Sequence, residues 1–306
     1  MSLDYDRLCG VLFEQPHLYH PRKAETFIRM LGPRLTGHSV TIVNGEGGVD
    51  HVAFSNGRPS AGVIGDGLAR NFDRRGVLPF DVVDGVAIIP IEGTLVQKGG
   101  WVGSSSGETS YQGLQTQIAR AKRPDIKGAV FEVDSFGGMV NGVFETATAV
   151  RELSAMKPTI AILTDFAYSA AYLLASQARQ IVMPEFGGAG SIGAVMLHAD
   201  WSGNLAKEGV KITFIQSGEH KTDGNPFETL PAGLLDRWQM QTDAIRDRFA
   251  EAVGKGRGKR MTKAQALKTE AKFYGAKDAL DLGLVDVIGD GQAAFAAFIK
   301  EVNRRS

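Results

Sequence analysis

The stretch GAVFEVDSFGGMVNGVFETATAVRELSAMKPTIAILTD, Gly128–Asp165, decides the fold. It opens on a short apolar run, Gly128–Ser135, passes two adjacent glycines, and continues as a segment with helical spacing. It closes on a second apolar run, Thr159–Asp165. A strand, a turn, a helix and another strand in that order form the unit from which parallel sheets are built.

The same alternation extends outward from there. Further strands are predicted at Val86–Gly93, Gln180–Met183, Ala194–Asp200 and Lys211–Ser217. Helices are predicted for YQGLQTQIARAKR, SAAYLLASQA and WSGNLAKEG. A long amphipathic helix follows Pro231, with Leu234, Leu235, Trp238, Ile245, Phe249 and Val253 on one side, and Gly254 and the next glycines are expected to end it. Thr262 is the expected N-cap of a shorter helix, and FYGAKDALDLGLVDVIGD reads as helix, Gly283 turn and short strand.

The expected organisation is a small N-terminal extension and linker over 1–75, an α/β domain over 76–290 and a helical tail over 291–306. Within the extension, PRKAETFIRMLGPRL places Ala24, Phe27, Ile28 and Leu31 on one helical face, and a polar, Gly-rich connector follows.

Composition excludes several classes. Lys+Arg and Asp+Glu stand at 34 each in 306 residues, which leaves no basic field for nonspecific nucleic-acid or lipid binding. Cys9 is the single cysteine, so neither an intrachain disulfide nor a cysteine zinc site is available. The beginning MSLDYDRLCG does not read as a secretory signal, and Thr159–Ala178 is too interrupted by polar residues to read as a membrane span. A cytoplasmic protein without a membrane anchor is expected. The histidines His17, His20, His38 and His51 show no metal-binding spacing.

Four short motifs sit at predicted strand ends, where ligands gather in α/β sheets. In DSFGGMVNG the glycines Gly137 and Gly138 read either as a tight strand-to-helix turn or as backbone amides offered to an oxyanion. In DFAYSAAYLLASQA, Ser169 either caps a helix or is a nucleophile at its start, with Ala170 and Ala171 leaving room for a substrate backbone. In GAGSIGAV, Ser191 is a turn residue or the hydroxyl that orients a catalytic side chain. In SGEHKTDGNPF, Lys221 is an ordinary surface lysine, or the general base for a serine if it is desolvated, since burial disfavours an ammonium. A His220 scheme with Asp165 or Asp134 competes with it. In an extended loop, however, neighbouring residues point opposite ways, so Lys221 and His220 do not both face one site. His198 reads as a structural histidine.

Taken together, DSFGG, YSAAYLLA, GSIG, HKTDGNPF and the later GLVDVIG resemble the signal peptide peptidase A family of Ser/Lys proteases, in particular its phage branch of head-maturation proteases. The resemblance runs from about Val82 to Asp290. It implies a crotonase- and ClpP-like fold, a spiral of ββα units. It further implies Ser169 as nucleophile, Lys221 as general base, Ser191 as the residue that orients the lysine, and Gly137 and Gly138 as oxyanion donors, with no metal or cofactor required. The family usually carries proline after DS, where Phe136 stands here.

The resemblance also implies ring-forming homo-oligomers in which one subunit's lysine completes its neighbour's site. Substrate would then bind extended beside DSFGG, with small or apolar side chains in shallow pockets. The expected role is phage or prophage capsid maturation inside a bacterial host, with scaffold, portal or coat proteins as substrates in the procapsid. Three alternatives stand beside it: a cellular signal-peptide or oligopeptide peptidase, a crotonase-type acyl-thioester enzyme, and an inactive capsid-assembly component.

Overall fold

The computed structural model describes residues 17–19, 67–99, 101–105 and 107–304. Cys9, the helix expected within 21–35 and the Gly-rich connector lie outside them. The first half of the described chain comprises β1 (His17–Tyr19), α1 (Gly67–Arg75), β2 (Asp81–Val83), β3 (Val86–Val96), β4 (Ser104–Ser105), β5 (Glu108–Ser110), α2 (Tyr111–Ala121) and β6 (Gly128–Met139). Then come α3 (Val143–Met156), β7 (Thr159–Tyr168), α4 (Ala170–Ala175), β8 (Gln180–Met183), β9 (Gly188–Gly190) and α5 (Ser202–Lys207). The C-terminal part holds α6 (Ala232–Arg257), α7 (Lys263–Lys268), β10 (Phe273–Gly275), α8 (Ala276–Asp281), β11 (Val287–Ile288) and α9 (Gly291–Arg304).

The expected α/β class is observed. The spine of the sheet runs β10-β9-β7-β6-β3-β5-β4, with β6 parallel to both β3 and β7. Alternate residues of the central strands serve two cores. Ala129, Phe131 and Val133 of β6 and Ala161 and Leu163 of β7 join the cluster formed with α2, α3 and α4. Val130, Ile160 and Ile162 point the other way, onto Phe298 and Val302 of α9. Burial of those two α9 side chains stabilises the cover by roughly 1.5–3 kcal/mol each. Because both faces are covered, the central strands are near-continuous apolar runs rather than alternating ones.

Each long strand changes partner part-way along. Ile160–Ile162 of β7 pair with β8, whereas Phe166–Tyr168 pair with β9. Pairing of β6 with β7 shifts register after Val133 and ends at Ser135↔Ala167. Beyond that point the edge of β6 carries β1 instead, running antiparallel.

Two predicted strands do not form. Residues 194–200 carry only an isolated bridge at Val195, 211–217 carry no strand, and Ile215 is fully exposed. An apolar run becomes a strand only where another strand offers its backbone groups, and none within the described chain lies beside these.

The long helix ends within the expected run of glycines, at the last of them. It runs through Gly254 and Gly256 to Arg257 and stops at Gly258, whose φ is 59°. Both inner glycines are sites of close packing: a Cβ on Gly254 would lie 2.9 Å from Lys263 N, and one on Gly256 2.3 Å from the Ser176 carbonyl oxygen. Thr262 caps α7 as expected, in a reciprocal box with Gln265. The fully buried Arg257 guanidinium forms a two-pronged pair with Asp286 at 2.8 and 2.9 Å and donates to Gly283 O at 3.0 Å. Asp286 also accepts from the Ile181 N–H at 2.7 Å, which locks α6 to β8 and the C-terminal turn.

Candidate active site

Strand β7 delivers Tyr168 to the sheet, and the chain then breaks direction at Ser169. Its backbone has φ 54° and ψ −121°, a conformation that a residue with a side chain adopts only under strain. Two bonds hold it there: its N–H donates to Gly190 O at 2.9 Å, and its carbonyl accepts from the Leu173 N–H at 2.9 Å. The helix that follows is wholly buried from Ala170 to Ala175, so the turn rests on a rigid base.

The helix-cap explanation of Ser169 fails, since its hydroxyl makes no capping hydrogen bond. The oxygen is buried and has no hydrogen-bond partner among the described residues. Buried hydroxyls are ordinarily paired, so a strained serine with an unpaired oxygen is a functional signature.

The glycine pair lies within the end of β6, and the turn into α3 comes later, at Gly142 with φ 89°. Gly138 is required by packing, because a Cβ there would stand 1.9 Å from the Leu95 carbonyl oxygen of β3. Gly137 has φ 97°, and its N–H is already donated to Ser135 Oγ at 3.1 Å. The Ser135 hydroxyl donates in turn to Gly93 O at 2.6 Å. A further amide escaped sequence reading. Ala170 is the first residue of α4, so its N–H has no intrahelical acceptor, and it adjoins the Ser169 hydroxyl.

Ser191 is buried, with φ 57°, directly after the Gly190 that accepts from Ser169. Its own N–H donates to Lys272 O at 2.8 Å. The structure thus brings Ser169, Ser191 and the glycine strand to one end of the sheet.

Lys221 makes no hydrogen bond to the Ser169 oxygen within a single chain. It is exposed in a turn where its N–H donates to Gly218 O at 3.2 Å, and the Ser169 oxygen has no partner to share with it. His220 lies on the same surface turn, 3.1 Å from Asp223 and beside Arg237, away from Asp165 and Asp134 as partners. His198 contacts Asn225 O through Nε2 at 2.9 Å.

Beside the glycine strand stands an aromatic group. Phe136 packs on Phe166 and Tyr168 with ring centroids 5.3 and 5.6 Å apart, and Tyr168 meets Phe273 at 5.7 Å. Burial, reinforced by the Asp165 carboxylate, pushes the Tyr168 phenol above its ordinary range, so it stays protonated near neutral pH. A separate 330 Å³ cleft beneath α9, lined by Glu132, Thr164 and Phe295 among others, contains none of these site residues. Among the described residues no group of three or more His, Cys, Asp or Glu side chains could hold a metal. None of the described helices is long and apolar enough to cross a membrane.

Residues 151–304, about half the chain, match peptidase family S49. The chain belongs to this family. The matched span contains Ser169, Ser191 and Lys221, while Gly137 and Gly138 precede it. This S49 chain is 33% identical over 281 residues to the capsid assembly protease C of Escherichia phage lambda, covering 91% of the chain and 62% of that relative. It is 31% identical over 307 residues to the head-tail preconnector protein GP5 of Enterobacteria phage P21, covering 99% of the chain and 59% of that relative. The S49 chain therefore spans about three fifths of the length of either relative.

Among solved structures, a membrane-bound stomatin-specific protease aligns at TM-score 0.42 with 13% identity, over 70% of this chain and 83% of that one. An enoyl-CoA hydratase/isomerase family member aligns at TM-score 0.43 with 16% identity, over 74% and 75% of the two chains. Overlays this loose add nothing to the strand order described above.

Proposed function

We propose that the chain is a serine endopeptidase that hydrolyses peptide bonds through an acyl-enzyme, with Ser169 as nucleophile and Lys221 as general base. The observation that carries this reading is the Ser169 hydroxyl, buried, unpaired and held on a strained turn between β7 and α4. Such a turn lifts the oxygen out of both the strand and the helix, which is what attack on a carbonyl needs.

In the reaction, Ser169 Oγ attacks the scissile carbonyl carbon as its proton passes to a neutral Lys221 Nζ. Negative charge on the carbonyl oxygen is met by backbone N–H groups. Gly137 and Gly138 are the proposed donors; Ala170 offers a third, and Gly137 contributes once its N–H leaves the Ser135 hydroxyl. Collapse of the tetrahedral intermediate breaks the C–N bond, the leaving amine takes the proton from the lysine, and the acyl ester remains. Water, deprotonated by the neutral Lys221 amine, then attacks the ester; the C–O bond to Ser169 breaks, the carboxylate leaves, and Lys221 returns the proton to Ser169 Oγ.

An amine acts as a base near neutral pH only where water is excluded. Lys221 is exposed in one chain, so its site is completed by a second copy in a ring-forming homo-oligomer, with Ser191 orienting the incoming lysine. The segments 196–200 and 211–217, which join no strand among the described residues, and the fully exposed Ile215 support such an assembly.

The relatives named as a capsid assembly protease and a head-tail preconnector protein support a role in phage head maturation. The substrates would be scaffold, portal or coat proteins, cleaved within a procapsid in the bacterial cytoplasm. The test is to incubate the protein with candidate head proteins and read the products by mass spectrometry, together with labelling by a serine-directed phosphonate. Cleavage that disappears in Lys221→Ala, with labelling confined to Ser169, is expected. Unchanged products in Lys221→Ala remove the lysine from the mechanism.

A further inference from the structure

The edge of β6 next to Ser169 is already occupied. At Gly137 and Gly138 one side of β6 is taken by β3, through Thr94↔Gly137 and Leu95↔Gly138. The opposite side is the one β7 leaves after Ser135↔Ala167, just before it turns into Ser169. There β1 lies antiparallel, with His17 opposite Met139, Leu18 opposite Gly138 and Tyr19 opposite Gly137. An extended peptide is captured at a sheet edge by main-chain hydrogen bonds of this same kind, so a peptide and β1 cannot both hold it.

We propose that the Gly137–Met139 edge is the peptide-binding site and that His17–Tyr19 is its resident occupant, an internal stand-in for substrate that an incoming peptide must displace. This rests on the reading of the chain as a peptidase whose substrate adds a strand beside the glycines. Two features suit the role. The occupant is three residues long, and its only strand partner among the described residues is β6, so releasing it leaves the parallel core untouched. Its neighbours on β6 include the two glycines, one of which has no room for a side chain, and they leave that edge open to close backbone approach.

The test uses the full chain and the double variant Leu18→Pro/Tyr19→Pro. In an antiparallel ladder alternate residues turn their N–H toward the partner, so one of two successive prolines removes a bond to β6. Hydrogen exchange is read at the amides of Gly137 to Met139, with Val130 to Val133 as the control for an intact core. Reactivity is read as the rate of Ser169 labelling by a fluorophosphonate and the rate of hydrolysis of a fluorogenic peptide.

The variant is expected to lose protection at Gly137–Met139 alone and to react about fivefold faster or more, the gain in open population from one lost backbone hydrogen bond. A synthetic peptide with the sequence of residues 14–22 should slow it again. Unchanged protection at Gly137–Met139, or lost protection with equal and measurable rates in the two proteins, overturns the proposal while leaving the peptidase reading intact. A Ser169 inert to the phosphonate in both proteins overturns the peptidase reading, and the proposal with it. Should the variant lose protection at Val130–Val133 as well, Leu18→Pro and Tyr19→Pro are measured separately, and the criteria apply to whichever of the two removes the bond.

Discussion

The Ser169 N–H donates to the Gly190 carbonyl oxygen at 2.9 Å, so the strained turn of one serine is tied to the residue immediately before the other, Ser191. Both serines have φ in the left-handed region, 54° and 57°, and the bond between their segments extends the β7–β9 ladder by one step. The sheet therefore imposes the conformation that leaves the buried hydroxyl unpaired, at the expense of local backbone energy.

Relaxing that strain should separate stability from activity. Ser169→Gly removes both the unfavourable φ and the unpaired buried hydroxyl, and is expected to raise unfolding stability by about 1 kcal/mol while abolishing hydrolysis. Urea denaturation of the two proteins reads this directly. A less stable glycine variant would mean the hydroxyl has a partner that holds the fold.

If Lys221 reaches Ser169 from a neighbouring copy, two inactive proteins should rescue each other. Ser169→Ala and Lys221→Ala are each expected to be inert, and their mixture to recover a fraction of wild-type peptide hydrolysis through mixed assemblies. A mixture as inactive as its components would place both residues of each site in one chain.

Gly138→Ala puts a methyl group 1.9 Å from the Leu95 carbonyl oxygen, so β3 and β6 must part. Overpacking of this kind costs about 1–3 kcal/mol, and the shift falls on the strand that carries the proposed oxyanion donors. Both a lower thermal midpoint and reduced kcat are expected; wild-type stability would show that the two strands have slack.

Asp286 supplies the pH dependence. Burial alone would push its carboxyl up, but the hydrogen bonds and charge of Arg257, the Ile181 N–H and Arg260 outweigh it and hold the carboxyl below its ordinary value. A depressed carboxylate stabilises the fold above its unfolded pKa of about 4, and that contribution is lost as pH falls through the lower folded value. Asp286→Asn should flatten the acid limb of the stability profile measured by thermal melts. Asp286→Ala, which leaves the fully buried Arg257 unpaired, should destabilise by about 3–5 kcal/mol.

The parallel spine was legible because β3, β6, β7 and β8 are buried on both faces and so appear as uninterrupted apolar runs. Strands β9 and β10, GAG and FYG, were not, because they exist through pairing with each other and with β7 rather than through their composition. Residues 194–200 and 211–217 failed for the converse reason: their composition suits a strand, but apart from the bridge at Val195 they join no ladder among the described residues. At the site, sequence singled out Ser169 but could not choose between cap and nucleophile, a choice that φ, ψ and the missing hydrogen bond decide against the cap. The Ala170 amide carries no signature in residue type, since any residue in that place presents the same N–H.

The two glycines inside α6 bear on how the chain assembles. Each weakens an isolated helix by about 1 kcal/mol relative to alanine, yet each lets a neighbouring backbone come close. A peptide spanning 232–257 would thus be mostly unwound in water, and its last turns owe their order to packing against the end of α4 and the start of α7. A chain in which this docking fails would display the Phe249 and Val253 side chains to any chaperone nearby.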